Sequence, residues 1–179
     1  MSTTYADSGE PINTAMYNAV VQYQGQDPKG WGRYFYTPDD NGTSPEAGLT
    51  YYSGNAENAF FNTHQLRLLP IAGQGVTADN ATDYTAGHDD AQSNLQAVLK
   101  TFGENMTLFY ESDGAYYCAF LLDCEPAPDV FTDYLHGWLK GMEAGITDAF
   151  GNMLYGWTGI YGCQDTCTVW NSMVDCANN

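Results

Sequence analysis

The sequence predicts an α/β protein with a parallel sheet, and three observations support this class. The chain has 179 residues and is 44% hydrophobic, which is enough for one domain with a real core. Apolar runs such as Leu66–Ala72 and Tyr116–Asp123 read as buried strands, and the segment Asp89–Phe102 between them has an amphipathic helical pattern. Strands that alternate with helices imply a parallel sheet, either a closed barrel or an open doubly wound sheet.

The first part of the chain contains three predicted strands and two predicted helices. The first helix places Ile12, Met16 and Val20 on one face, and the Asn13 side chain is suited to cap its start. A loop rich in turn-forming residues follows the second strand. The predicted strands are Thr3–Asp7, Trp31–Tyr36 and Leu66–Ala72, and the second helix is Asn55–His64.

The second part continues the alternation after a polar loop predicted from Gln74 to Gly87. A helix with an apolar face begins after Pro128, because the prolines at 126 and 128 break the preceding strand. The sequence therefore predicts five strand–helix units and one further short strand. These later elements are the helix Asp89–Phe102, the short strand Met106–Glu111, the strand Tyr116–Asp123, the helix through Phe131 and Met142, the strand Met153–Tyr161 and the helix Cys163–Cys176.

The charge balance excludes two classes of partner. Lys and Arg total 5 against 22 Asp and Glu, which gives a net charge of -17. Such a surface repels nucleic-acid phosphates and anionic lipid, so we expect neither nucleic acid nor membrane as a partner. No apolar run reaches the length that spans a bilayer.

Composition and sequons indicate a secreted, extracellular protein. Lys is scarce, and sequons for N-glycosylation occur at Asn41, Asn80 and Asn105. Met1 leads directly into folded-looking sequence, so we expect a mature domain, 1–179, whose leader has been removed and to which Met1 was added. These features predict a disulfide-containing glycoprotein.

The 5 cysteines leave one thiol free or paired between chains if the others form disulfides. Cys118 and Cys124 lie on one strand, about 20 Å apart at strand rise, so each needs a partner elsewhere. The cysteines near the C-terminus supply such partners. A zinc site is disfavoured because the chain lacks a Cys-x-x-Cys motif. We expect no metal and no cofactor, since no strand–helix turn carries a phosphate-binding glycine loop either.

Two carboxylates follow the strand Tyr116–Asp123 and are the main candidates for chemistry. Asp123 and Glu125 are two residues apart, so on a strand they face the same side, with carboxyls about 6–7 Å apart. Glycoside hydrolases use a pair of carboxyl groups, and barrel enzymes hold their catalytic groups at the carboxyl ends of core strands. This spacing does not decide between retention and inversion of the sugar's configuration. The competing interpretation is a solvated strand end.

Aromatic residues near strand ends are candidates for sugar binding. Flat rings supply apolar area that matches the C–H face of a sugar. The competing interpretation is that these rings belong to the core. The candidates are Tyr34, Tyr36, Tyr155 and Trp157.

The order of several motifs resembles the glycoside-hydrolase-like TIM-barrel domains related to family 25 muramidases. The resemblance covers Thr4 to Tyr161 and is carried by Tyr-Ala-Asp7-Ser-Gly, Gly32-Arg-Tyr-Phe-Tyr36, Leu66-Arg-Leu-Leu-Pro-Ile-Ala72, Asp90-Ala-Gln, Phe120-Leu-Leu-Asp-Cys-Glu125 and Leu154-Tyr-Gly-Trp157.

The resemblance implies a (β/α) barrel of TIM-barrel type with an acidic site at the carboxyl ends of its strands. Asp7, Asp123 and Glu125 match the acids of that site, with Glu125 as general acid and the others as supporting carboxylates. Arg33 and the four aromatic candidates would bind substrate, which would be peptidoglycan or another N-acetylated polysaccharide.

Two departures from the family pattern support an alternative. Eight barrel strands normally need about 200 residues or more, so the barrel is incomplete, is completed by a partner chain, or is represented here by a fragment. Cys124 also stands between the two acids, where an apolar residue is expected. The alternative is a non-catalytic extracellular structural or assembly subunit, a homo-oligomer, that retains the glycoside-hydrolase-like fold.

Overall fold

The computed structural model of the chain describes residues 5–35, 50–52, 54–73, 76, 81–102, 109–110, 116–124, 131–150, 154–161, 167–168 and 170–171. Within these ranges the chain alternates strands and helices. The elements are β1 (Tyr5–Ser8), α1 (Thr14–Gln24), β2 (Gly30–Phe35), α2 (Asn55–His64), β3 (Arg67–Ala72), α3 (Tyr84–Phe102), β4 (Phe109–Tyr110), β5 (Tyr116–Asp123), α4 (Thr132–Phe150) and β6 (Leu154–Tyr161).

The sheet confirms the predicted parallel α/β class. Strands β1, β2, β3, β5 and β6 are parallel neighbours in that order, which is their order along the chain. The short β4 is antiparallel and pairs with the amino end of β5. Because β6 pairs with β5 along its whole length, β3 and β4 share the other edge of β5.

Closure of the sheet into a barrel is not observed in the part of the chain that the structure describes. There, β1 pairs only with β2, and β6 pairs with β5. Each parallel strand is also added on the same side of the preceding one, whereas in a doubly wound sheet the direction in which strands are added reverses. Right-handed crossovers in a constant direction place the connecting helices on one face.

Alternate residues along the strands define two faces of the sheet, and both faces include buried positions, since Ile71, in the same set as Leu69, is 1% exposed. Trp31, Arg33 and Phe120 belong to one alternate set of residues and are at most 1% exposed, under the helices. Asp7 and Leu69 belong to the other set and are exposed and half-buried. We call these the helix face and the open face.

The start of α1 confirms the predicted cap. The Asn13 side chain accepts hydrogen bonds from the backbone N–H groups of Ala15 and Met16, at 3.0 and 3.1 Å. The helix ends at Gly25, whose φ of 70° is left-handed and favours glycine. The bounds of α2 and β5 also agree with the predicted Asn55–His64 and Tyr116–Asp123.

The predicted start of the third helix is wrong. We expected a loop to Gly87 and a helix from Asp89, but α3 begins at Tyr84. The Asp83 carboxylate accepts the Ala86 N–H at 2.9 Å, which caps the first turn. The apolar periodicity starts only after this polar turn, so the prediction began the helix too late.

Helices α3 and α4 pack closely because glycines line their contact. A Cβ at Gly141 would lie 2.7 Å from both the Ala91 Cβ and the His88 carbonyl oxygen, and a Cβ at Gly145 would lie 2.6 Å from Leu95. Side-chain hydrogen bonds cross the same contact: Trp138 donates to Asn94 at 2.9 Å, Tyr134 to Asp90 at 2.7 Å, and Gln92 to the Gly141 carbonyl at 2.7 Å. This pair of helices therefore packs as one unit, and α4 contacts β6.

Several sequence predictions concern residues beyond the described ranges. Of the last predicted helix, residues 167–168 and 170–171 are helical. The asparagines of the three sequons lie outside the described residues, as do Cys163 and Cys176. Cys124 is buried at the end of β5 and Cys167 is half-buried, and the disulfide pattern stays a prediction. Among the residues described, no helix is long and apolar enough to cross a membrane.

Candidate functional site

The open face carries a hollow beside the predicted acid Asp7. Its volume is about 160 Å³, below the roughly 300–1,000 Å³ usual for small-molecule sites. Asp7 is exposed on β1, and the neighbouring Tyr5 on the same face is 40% exposed. The hollow is therefore a shallow site with an apolar floor and a carboxylate at its rim. It is lined by Tyr5, Ala6, Asp7, Gly32, Leu69, Ile71 and Leu121.

Two glycines of β2 allow this arrangement. A Cβ at Gly32 would lie 2.8 Å from the Ile71 Cδ1 and 2.9 Å from the Asp7 Cβ. A Cβ at Gly30 would lie 2.6 Å from the Tyr5 ring. Glycine at both positions lets the two β1 side chains lie close to β2, and any larger residue would displace them.

The structure places Asp123 at the carboxyl end of β5, as predicted. Its backbone pairs with Tyr161 on β6, its side chain lies outside the described residues, and so does all of Glu125. In the sheet register, position 123 falls in the same alternate set as Leu121, which pairs with Ile71 of the open face. The register therefore assigns positions 7 and 123 to the same set.

The register also separates these two acids along the sheet. Asp7 pairs with Gly32 on β2, which pairs with Leu69 on β3, and the same row of residues continued across the sheet reaches β5 at Ala119. Asp123 therefore lies closer to the carboxyl end of β5 than this row does. At usual strand spacings this displacement is about 13 Å along β5 and about 14 Å across the strands. A site that uses both acids has to span an extended ligand, or the curvature of the sheet has to bring the two together.

Arg33, a predicted substrate-binding residue, is engaged in a buried ion pair. It is 0% exposed, and its Nε donates to the Glu57 Oε2 at 2.6 Å, while Nη2 donates to Oε1 at 3.3 Å. Two more hydrogen bonds, both at 2.7 Å, reach the carbonyl oxygens of Ser8 and Thr50. Arg33 thus joins β1, β2, α2 and the segment at 50 on the helix face, away from the hollow.

Glu57 is the residue of this network that the sequence analysis missed. It is 3% exposed on α2, and its Oε2 also accepts the Ile12 N–H at 3.4 Å. A buried arginine needs an acidic partner, which is a usable signal, but nothing in the spacing of 24 residues selects Glu57. Nearby, burial raises the pKa of Tyr52 well above its usual value; the Glu57 carboxylate raises that pKa further and the Arg33 guanidinium partly lowers it.

The structure describes the side chain of one of the four aromatic residues predicted to bind sugar. Tyr34 is 5% exposed, so it lies within the packed part of the protein. Tyr36 lies outside the described residues. Tyr155 and Trp157 pair through their backbones with Tyr117 and Ala119, and their side chains are not among those described.

The described ranges give no sign of a metal centre, since they contain no group of three His, Cys, Asp or Glu side chains placed to hold an ion. Two titratable groups are described at the hollow, the Asp7 carboxylate and the Tyr5 phenol. Such a site can accept hydrogen bonds and attract positive charge, and it offers a ring and aliphatic side chains to an apolar surface.

Comparison with known proteins identifies the fold but no family. No protein-family model matches the chain, and no curated protein matches it. A solved structure does match: the 1.07 Å crystal structure of an uncharacterized B. stearothermophilus protein. The TM-score is 0.55 at 15% identity, and the match covers 96% of this chain and 67% of the other. At this identity the likeness shows a shared fold alone.

Proposed function

We propose that this chain is a secreted carbohydrate-active protein that binds a glycan at the carboxyl ends of its parallel strands and hydrolyses it. One observation carries the proposal. Parallel strands follow one another in chain order with their helices on one face, and Asp7 and Asp123 stand at or near the carboxyl ends of β1 and β5. This is the end where barrel enzymes hold their catalytic groups.

The finer fold assignment, a TIM-type barrel, is part of the same proposal. The constant strand order supports it, because barrels add each strand beside the preceding one. Closure would require further strands between β6 and β1, from the rest of the protein or from a second chain. The open face would then become the barrel interior.

The proposed chemistry divides roles among the three acids. Glu125 protonates the glycosidic oxygen as general acid, Asp123 acts as base or stabiliser, and Asp7 supports the substrate from β1. Asp123 and Glu125 are two residues apart, so their carboxylates would disfavour each other's ionisation, which would keep one of the two protonated and able to donate. The substrate class, a cell-wall or N-acetylated polysaccharide, follows from the family resemblance.

The test is a substitution of the proposed general acid. Glu125→Gln should lower the release of reducing ends from cell-wall glycan by at least ~100-fold, since general acid catalysis contributes about 10²–10⁴-fold. Its melting temperature should stay close to that of the wild type. Asp133→Asn, at an exposed acid in the first turn of α4, is the matched control and should keep full activity. Undiminished hydrolysis by Glu125→Gln would remove this residue from the mechanism.

A second candidate function, a non-catalytic assembly subunit, is favoured by the open face. Tyr5 is 40% exposed there, Leu69 and Leu121 are half-buried, and β1 has one described partner strand. An apolar face beside a strand edge that no described strand covers suits association with another chain. Light scattering distinguishes the candidates: a stable oligomer without glycan hydrolysis supports the subunit, and an active monomer supports the enzyme.

A further inference from the structure

We infer that the hollow on the open face takes a sugar residue that carries an ammonium group, as in a de-N-acetylated amino-sugar polymer. This inference rests on the proposed glycan-binding function, and it replaces the N-acetylated sugar implied by the family resemblance with a de-N-acetylated one at this position. It starts from the two β1 side chains at the rim. Tyr5 offers an exposed ring and Asp7 an exposed carboxylate, two residues apart on the same face of one strand.

The ring and the carboxylate select complementary parts of one ligand. An aromatic ring packs against the apolar C–H face of a pyranose and attracts a nearby cation. A carboxylate accepts hydrogen bonds from hydroxyl and ammonium groups, and a charged donor gives the stronger bond. Leu69, Ile71 and Leu121 supply an aliphatic floor. A small sugar ring with a positive charge complements the aromatic ring, the carboxylate and the aliphatic floor.

The lining does not suit an acidic sugar. None of the seven described lining residues is Lys or Arg, and the polar side-chain groups among them are the Asp7 carboxylate and the Tyr5 phenol. A uronic acid or another carboxylated sugar would place its charge against Asp7 without a compensating cation. Its binding would leave two like charges facing each other, which is unfavourable.

None of the four cations whose side chains are described is among the residues that line the hollow. Arg33 is buried with Glu57, and Lys140 donates to Glu143 at 2.8 Å on α4. Lys29 directly precedes β2, and Arg67 begins β3 on the open face, where the register places it opposite Gly30 and level with Tyr5. Lys100 lies in the last turn of α3. With a net charge of -17, the protein attracts cationic ligands, and this attraction weakens in salt.

The size of the site limits the contact to one sugar unit. A volume of about 160 Å³ is small for a ligand site, so an oligomer would place one residue in the hollow and extend along the sheet. Gly32 sets this depth, because its missing Cβ leaves the floor open between Ile71 and Asp7.

The experiment compares two tetrasaccharides by isothermal titration calorimetry: a glucosamine tetramer and an N-acetylglucosamine tetramer. The wild type should bind the glucosamine tetramer more tightly, and this preference should shrink as salt is raised. Asp7→Asn should weaken binding of the glucosamine tetramer by about tenfold or more and leave the acetylated one little changed, because it removes a charged acceptor. Tyr5→Ala should weaken both.

Matched controls are Asp133→Asn and Tyr23→Ala, since Asp133 is an exposed acid on α4 and Tyr23 is 92% exposed on α1. Both should bind like the wild type, and circular dichroism should show all variants folded. Equal or tighter binding of the acetylated tetramer, insensitive to Asp7→Asn, overturns the ammonium preference and leaves glycan binding intact. Failure to bind either tetramer overturns the inference, and the Glu125→Gln assay then decides the proposed function separately.

Discussion

Removing the Glu57 carboxylate should destabilise the fold severely, because it leaves a buried guanidinium without its counter-charge. Arg33 is 0% exposed and Glu57 3% exposed. Breaking a buried ion pair of this kind costs about 3–5 kcal/mol. We therefore expect Glu57→Ala to lose about that much, although the carbonyl groups of Ser8 and Thr50 still accept from Arg33. Domains are usually stable by about 5–15 kcal/mol, so the loss would range from about a fifth of the stability to all of it.

Urea unfolding measures this loss as a lower midpoint at an unchanged slope. The matched control is Glu143→Ala, which breaks the exposed pair with Lys140 and should cost less than about 1 kcal/mol. The double variant Arg33→Met with Glu57→Leu should recover much of the loss, since a buried ion pair can often be replaced by apolar residues of similar volume. The reasoning is refuted if Glu57→Ala costs no more than Glu143→Ala, or if the double variant is less stable than Glu57→Ala.

Two further predictions concern the contact between α3 and α4. Gly141→Ala should cost about 1–3 kcal/mol in urea unfolding, because its Cβ would meet Ala91 and the His88 carbonyl at 2.7 Å; a neutral result would show that the helices separate freely. Burial raises the pKa of Asp90, the hydrogen bond from Tyr134 lowers it in part, and Asp89 raises it again. Because the pKa of Asp90 is raised in the folded protein, the protonated form of this acid stabilises the fold. The stabilisation is fully present below the pKa of the unfolded state, and it is lost as the pH rises through the pKa of the folded state. Asp90→Asn lacks this titration, so its stability relative to the wild type should increase from acidic to neutral pH, and a constant difference across that range would contradict the assignment.

The sequence predicted most helices and strands because their signals are local. The bounds of α2 and β5 agree with the structure; α2 begins directly after Gly54, and β5 is followed closely by Pro126. The start of α3 was missed because its first turn is polar, yet Asp83 three residues before Ala86 was a readable cap. Cap chemistry therefore carried information that hydrophobic periodicity did not.

The relations between distant residues were harder to predict. The order of the strands follows from the alternation of strands and helices, but their closure depends on contacts that no local pattern encodes. The family resemblance predicted Arg33 as a substrate-binding residue, but its partner Glu57 lies on a helix, 24 residues away in the sequence. Asp7 was predicted as a site residue because the resemblance assigned it a place, and its role stays a prediction. The hollow beside it depends on Gly32 and Ile71, which no motif connects.

The two faces of the sheet are linked through the end of β1. On the helix face, the Ser8 carbonyl accepts from Arg33 at 2.7 Å, and the Ser8 hydroxyl accepts from the Trp31 ring N–H at 2.9 Å and donates to the Glu10 carbonyl at 2.7 Å. These bonds fix the backbone directly after Asp7, whose own side chain lies on the open face. The buried ion pair is therefore a positioning element for the proposed site, because a site built on a fixed strand end keeps its ligand groups in place. A variant that weakens the ion pair without unfolding the protein, such as Glu57→Gln, should lower glycan affinity while every residue of the hollow is unchanged.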